Sequence, residues 1–459
     1  MIPNDRQKEH ILRVASEPTH AALINLGTGW GKTLLALDVF SLLRPVVDRV
    51  LVIAPLNTKG GWRAHAAAML PDLPFLVIES GKNEENYAKL KAGTPGVYFV
   101  TKDYLALSGT SAEPKEKDDG TFTRGRIQKH RWDMHLPMVV LDESHKTNHR
   151  DTAGYKVLRR LDSKWRIAMS ATPAGNKFDR LWETCRWLWP DLIDRSKSRW
   201  VAEWCRTEYD PYKYDHKKVV GEKVPGAFVG SLPCYITDEA DFKVPVRVVN
   251  VSTPMTAEQR KQYDAMKRDS LLWIDEHPLV ADLPIVQKIR LRQIALGEVV
   301  FDEDGDVNFA DDCKSSKIRA CELICARHPG EQVLFYTDSK RFAYVLAKRL
   351  GGRAWTGDLS SNARDQLKAD FIAGRVRYIV AVISAFGTGT DGLHLASSTE
   401  VFCNQSFNGV DNEQCEGRLN RRGQKAKEIT RYMLTAPDSG DVLDFEKLLK
   451  NRQELRRSL

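Results

Sequence analysis

The feature that most restricts the fold of this chain is an alternation. Short runs rich in Val, Ile and Leu alternate with longer stretches whose apolar residues recur at helical spacing. In the first block the runs are AALINLG, RVLVIAP, GVYFVT, MVVLDE and WRIAMSAT; in the second they are QVLFYTD, RYIVAVIS and EVFCNQ. A strand without polar alternation has both faces covered, and strands separated by helix-length segments run parallel. Each block therefore predicts a parallel sheet with helices on both faces, an α/β fold class. At 459 residues the chain is also too long for a single hydrophobic core. The expected division is a first sheet domain over 1–185, a connector over 186–250 and a second sheet domain over 251–459. The connector is rich in Trp, Tyr and Pro (RWVAEWC, EYDPYKY), read as a small packed core of its own rather than a binding surface. The polar segment 108–131 interrupts the first block and reads as a surface loop, its basic end RGRIQKHR solvated.

Composition narrows the setting. A net charge of +8 permits a polyanionic partner without requiring one. No apolar stretch approaches the length of a membrane span, and the N-terminus, MIPNDRQKEH, lacks the apolar core of a signal peptide. The eight cysteines form no C-x-x-C pair. Cys313, Cys321 and Cys325 lie near His328, but Cys321 and Cys325 share a helical face, so they read as buried thiols in a reducing, cytoplasmic setting.

Two motifs carry chemistry. INLGTGWGKTLLAL runs from an apolar strand through glycines into an amphipathic helix. Gly29 and Gly31 let the backbone turn tightly and present N–H groups to an anion, and the helix that follows adds the positive end of its dipole. Lys32 is placed to reach β- and γ-phosphates and the Thr33 hydroxyl to hold Mg²⁺, although Leu26 stands where such loops have their first glycine. The second motif, LPMVVLDESH, ends an apolar strand in two acids at the edge that faces the ligand crevice of a parallel sheet. Asp142 is the candidate Mg²⁺ holder, partly through water, and Glu143 the candidate activator of the attacking water.

With DESH in place the chain resembles the superfamily-2 helicases, and within them the Swi/Snf-type branch of ATP-driven DNA translocases. The matches run in order over nearly the whole length. Gln7, in NDRQKEHI, stands where that family has an adenine-contacting glutamine. LGTGWGKT is similar to its phosphate loop, which brings Gly27, Thr28 and Trp30 into the ATP-binding set. VLVIAPLNTKGGWRAH resembles a segment with Pro55 and Trp62 in place, and VYFVTKDYL resembles the next strand, whose end meets a DNA strand. DESH supplies His145, and SATP supplies Ser170 and Thr172, as the residues that couple the ATP site to nucleic acid. In the second half KSSKIRACELI with VLFYTDS resembles the opening of the second motor domain. TGTDGLHL, with Gly389 and Asp391, and QCEGRLNRRGQ, with Gln414, resemble its later motifs.

The resemblance implies two tandem RecA-like domains, ATP and Mg²⁺ as cofactors, and a DNA-stimulated ATPase that moves on DNA, duplex rather than single-stranded, as a monomer. By the same match Arg418 and Arg421 are arginine fingers for the γ-phosphate. At spacing i, i+3 they are expected side by side on a helix, with Arg422 turned away. Thr58, Lys59, Thr101, Lys102 and Ser384, with Pro55 and Trp62, are the expected nucleic-acid contacts. Thr390 and His394 replace a glycine and an asparagine of the family pattern, and the family's paired arginines before the second domain are missing from LPCYITDEADFKVP. No appended chromatin-reading module is recognised, which points to a compact motor of the bacterial or phage kind. An RNA remodeller of the same superfamily and a catalytically idle DNA-binding scaffold are the alternatives.

Overall fold

The computed structural model describes residues 3–79, 84–108, 115–116, 122–123, 132–147, 152–210, 217–239, 243–274, 277–280, 283–301, 307–386 and 391–459. The chain divides into two compact units, 1–240 together with 453–459, and 241–452. No helix among the described residues is long and apolar enough to cross a membrane.

The first unit is built on seven strands: β1 (Ala21–Leu26), β2 (Arg49–Ala54), β3 (Phe75–Ile78), β4 (Gly96–Thr101), β5 (His135–Asp142), β6 (Asp162–Ser170) and β7 (Tyr235–Asp238). Their order is β7-β1-β6-β5-β2-β4-β3, and every pairing is parallel. The central strands are buried along nearly their whole length, as a sheet covered on both faces requires. This topology sets β6 between β1 and β5, so the segments following all three leave the same edge side by side. Asn25 pairs in register with Ser170, and Asp142 with Met169. Three helices supply residues to that edge: α1 (Asp5–Ala15), α2 (Lys32–Leu43) and α3 (Lys59–Met69). Asn4 caps α1 reciprocally with Gln7, its side chain accepting from the Gln7 N–H while Gln7 Oε1 accepts from the Asn4 N–H.

The stretch 186–250 is shared between the units. Trp200 and Phe228 of this stretch pack in a small core with Phe178, which precedes it, at ring separations of 4.9–6.2 Å. That core belongs to the first unit, to which the stretch also contributes β7, while its last residues open a strand of the second unit. The chain's final residues also close on the first unit, where Glu454 pairs with Arg206 at 2.8 Å and the Tyr235 hydroxyl donates to the Leu459 carbonyl at 2.6 Å. Of the 108–131 loop, Lys115–Glu116 pairs with Phe122–Thr123; 109–114, 117–121 and 124–131 lie outside the described residues.

The second unit repeats the plan with six strands: β8 (Val246–Ser252), β9 (Val333–Thr337), β10 (Arg353–Trp355), β11 (Tyr378–Val382), β12 (Thr399–Phe402) and β13 (Ile429–Thr435). The order is β8-β13-β12-β9-β11-β10, again parallel throughout. Alternate residues of one strand serve two cores: Val333 and Phe335 pack with Val380 and Val401 on one face, Leu334 and Tyr336 with Ile379 and Phe402 on the other. The helix Ser316–Arg327 buries Cys321 against Cys403, sulfur to sulfur 3.7 Å, while His328 contacts Glu331 and the Tyr432 hydroxyl. Burial pushes the Cys313 thiol up to about 12 and the Cys321 thiol well above its ordinary value.

Candidate functional site

The loop between β1 and α2 is made by its glycines. Gly29 and Gly31 have φ of 80° and 92°, left-handed values that other residues adopt only at a cost. A Cβ on Gly31 would stand 3.0 Å from Gln7 Nε2. That amide donates to the Trp30 carbonyl at 3.1 Å, and the Trp30 ring packs 5.2 Å from His10, so α1 braces the loop directly. Lys32 opens α2 with its ammonium turned onto the loop, donating to the carbonyls of Leu26 (2.7 Å) and Gly27 (3.2 Å). The loop residues Gly27, Thr28, Gly29, Trp30 and Gly31 form the turn between β1 and α2, with Thr33 in the first turn of the helix that follows.

Across β6 lies the acidic edge. Asp142 ends β5 and is buried, its Oδ1 accepting from the Glu143 N–H at 2.9 Å. Burial and the neighbouring Glu143 carboxylate hold the Asp142 carboxyl above the ordinary range, with Lys32 among the groups opposing them. Glu143 turns the chain sharply with φ 48°. For a residue with a Cβ this is strained backbone, of the kind that persists where surrounding structure imposes it. His145 lies two residues on, its Nδ1 2.9 Å from Ser170 Oγ and 3.4 Å from Glu143 Oε2. Ser170 Oγ also accepts from the Thr172 N–H at 3.0 Å. Burial drives the His145 imidazole down to about 4, so near neutrality it is an uncharged link. His145, Ser170 and Thr172 are therefore linked by hydrogen bonds, with the Glu143 carboxylate 3.4 Å from the same His145 nitrogen. The strand order explains it, because β6 is the immediate neighbour of both β5 and β1.

Trp62, expected at a nucleic-acid surface, is 1% exposed and donates its indole N–H to Asp142 Oδ2 at 3.0 Å. The sequence concealed this because a tryptophan near a strand end is equally compatible with a surface platform and a buried donor. Only the seating of α3 beside the end of β5 decides between them.

The remaining expected contacts of this unit sit at the ends of β2 and β4. Thr58 Oγ1 donates to the Pro55 carbonyl at 2.8 Å, and Lys59 Nζ is 3.4 Å from Glu79 Oε2. Thr101 Oγ1 accepts from the Tyr104 N–H, and Lys102 Nζ donates to the Lys146 carbonyl at 3.2 Å, reaching the turn that carries Glu143 and His145.

In the second unit the arginine box departs from its expected geometry. α4 (Gly409–Glu416) ends before it, capped at Gly417, so Arg418 and Arg421 occupy successive turns rather than one helical face. Gln414, on α4, is buried, and so is Arg418, at 4% exposure. Arg421 Nε donates to the Gly417 carbonyl at 2.8 Å, and its guanidinium is paired with the exposed carboxylate of Asp391. Ser384 is exposed just past β11. Gly389 and Thr390 lie outside the described residues. His394 rests against the Arg422 backbone, and burial lowers its pKa. Beneath the box runs an ionic network that sequence reading missed. Arg431 Nε donates to buried Glu400 at 2.6 Å, Arg431 Nη1 is 2.9 Å from Glu416, and Arg452 pairs with both Glu416 and Glu413. Its members are spread over β12, α4, β13 and the helix Gly440–Ser458, and no local pattern relates them.

Among known proteins, the profile of the SNF2-related domain matches residues 10–294. The ISWI chromatin-remodeling complex ATPase ISW1 of Saccharomyces cerevisiae is 22% identical over 451 residues, covering 93% of this chain and 37% of its own. A SWI/SNF-related matrix-associated actin-dependent regulator of chromatin from Mus musculus is 21% identical over 86% of this chain and 38% of its own length. The lymphoid-specific helicase of Homo sapiens is 27% identical over 37% of this chain and 19% of its own length. The chain thus spans little more than a third of the length of the relatives it matches most fully. A solved SWI2/SNF2 ATPase core from Sulfolobus solfataricus, in complex with dsDNA, aligns over all of this chain at 18% identity and a TM-score of 0.40.

Proposed function

This chain belongs to the family of the SNF2-related domain, and from that premise we propose that it is an ATP-dependent DNA translocase, hydrolysing ATP to ADP and phosphate as it moves on duplex DNA. The observation that carries this reading is the hydrogen-bonded set His145–Ser170–Thr172, with the Glu143 carboxylate 3.4 Å from His145, beside the Lys32 loop on adjacent strands. An idle scaffold has no use for a strained glutamate backbone and a buried neutral imidazole at that edge.

The roles follow from chemistry. The loop Gly27–Gly31 and the start of α2 supply N–H groups and a positive dipole end to the phosphates, and Lys32 supplies charge. Its ammonium, held by loop carbonyls, is already stationed at the loop. Gln7, engaged with Trp30, connects α1 to the same loop and is the candidate for reading adenine. Glu143 would accept a proton from the attacking water, and Arg418 and Arg421 would offset charge developing on the transferred phosphoryl group.

A divalent cation fits the donor set. Asp142 offers a buried carboxylate, each oxygen held by one N–H and retaining acceptor capacity, and Thr33 offers a hydroxyl. Mg²⁺ keeps several waters and needs only one or two protein ligands beside substrate phosphates. No cluster of three or more His, Cys, Asp or Glu ligands exists among the described residues. Mg²⁺ held there would neutralise phosphate charge. DNA backbone contacts are assigned to Thr58, Lys59, Thr101, Lys102 and Ser384. Contacts of that kind give strong salt dependence and little sequence dependence.

The test is ATP turnover without nucleic acid and with single-stranded DNA, duplex DNA or RNA, using Lys32→Ala as the inactive control. Duplex DNA should stimulate most. Stimulation by RNA alone would transfer the chain to RNA remodelling, and no stimulation by any of the three would end the motor reading.

A further inference from the structure

Trp62 spends its indole N–H on the acidic edge of the first unit, and the pairing is with the residue assigned to the cation. A buried indole N–H left without an acceptor would cost about 1–3 kcal/mol, and it can only donate. The contact is therefore directional. Asp142 Oδ1 is held by the Glu143 N–H at 2.9 Å and Oδ2 by Trp62 Nε1 at 3.0 Å. Two donors from different elements, the β5 turn and α3, fix the plane of one carboxylate. A carboxylate gripped at one oxygen only could still swing about its Cβ–Cγ bond.

Resting on the ATPase reading, we infer that Trp62 is a positioning residue for the divalent-cation site: it sets the orientation in which Asp142 presents its remaining lone pairs. Outer partners of this kind act by orienting the ligand and are worth about 10–100-fold in metal affinity or activity. The placement has a second consequence. Trp62 stands one helical turn beyond Lys59, the first residue of α3, and Pro55–Thr58 lead directly into that helix. The segment assigned to nucleic acid and the carboxylate assigned to the cation are thus joined by a single turn of α3. Trp62 serves the cation from within the protein and does not touch nucleic acid.

Trp62→Phe keeps an aromatic ring in the buried site and removes the donor. Mn²⁺ binding, followed by electron paramagnetic resonance in the presence of a non-hydrolysable ATP analogue, should weaken about tenfold in this variant. Affinity for duplex DNA and for metal-free nucleotide should be unchanged. In full-length protein labelled with ¹⁵N at its indoles, the Trp62 resonance, assigned in the wild-type protein by through-space contacts to its buried neighbours, should shift on Asp142→Asn; this arm serves if Trp62→Phe does not fold. An unchanged Mn²⁺ affinity in folded Trp62→Phe, or an indole resonance indifferent to Asp142→Asn, overturns the inference. Loss of DNA affinity at unchanged Mn²⁺ affinity overturns it too and returns Trp62 to the nucleic acid. A wild-type chain that binds no Mn²⁺ with nucleotide overturns the ATPase reading and the cation role with it, a failure visible before any variant is made.

Discussion

Glu400→Gln should change how the stability of the second unit depends on pH. The Glu400 side chain is fully buried, and burial raises its pKa to about 7 from the ordinary 4.5, even against the pull of Arg431. The folded chain therefore binds this proton more readily than the unfolded chain. Its stabilising contribution is complete below about pH 4.5 and is lost as pH rises through about 7. At about 1.4 kcal/mol per pH unit, that interval is worth roughly 3 kcal/mol. Glutamine is neutral throughout and has nothing to lose. Arg431 remains paired to Glu416 at 2.9 Å in the variant, so no buried cation is stranded. Glu400 Oε2 has no hydrogen-bond partner among the described residues, so the new amide adds a fixed cost from its unmet N–H groups. That cost does not vary with pH. The assay is urea unfolding of wild type and variant at half-unit steps between about pH 4.5 and 8.5, followed by fluorescence and circular dichroism. The stability difference, variant minus wild type, should climb by about 3 kcal/mol across the range and level off above pH 7. A difference that stays flat would show that Glu400 is ionised at little cost, and would refute the argument from burial.

Glu143→Gln should reduce ATP turnover by at least about 100-fold with nucleotide affinity retained, measured by phosphate release and by titration with a fluorescent nucleotide; normal turnover would mean another group activates the water. Arg421→Ala should lower turnover on the order of a thousandfold with nucleotide affinity nearly unchanged, and a loss of affinity alone would contradict its assignment to the transition state. Gly31→Ala imposes a side chain on a φ of 92° and sets its Cβ 3.0 Å from Gln7 Nε2. At a cost of about 1–2 kcal/mol, nucleotide should bind roughly tenfold more weakly in equilibrium titration.

Much of this protein was legible in the sequence because its signals are local. Buried parallel strands announce themselves as unbroken apolar runs, and all eight runs singled out in the sequence contain strands of the two sheets. The loop between β1 and α2 was legible because Gly29 and Gly31 hold left-handed φ values that other residues adopt only at a cost. Five sheet strands went unread: β3, β7, β8, β10 and β13. β3 is a four-residue edge strand, β7 comes out of the aromatic stretch, and β8 alternates half-buried and exposed residues along a sheet edge.

What only the tertiary structure decided are relations between distant residues. The helix end at Gly417, which takes Arg418 and Arg421 off a common face, depends on how the chain turns back after α4. Ser170 reaches His145 because the strand order puts β6 next to β5, although 25 residues separate the two. Trp62 reaches Asp142 across 80 residues, and Arg431 reaches Glu400 across 31. Periodicity and motif spacing report what a residue does within its own turn or strand. They carry no record of which donor a buried carboxylate meets, because that pairing is set by packing once helices and sheet have closed together, where an unmet polar group would be costly.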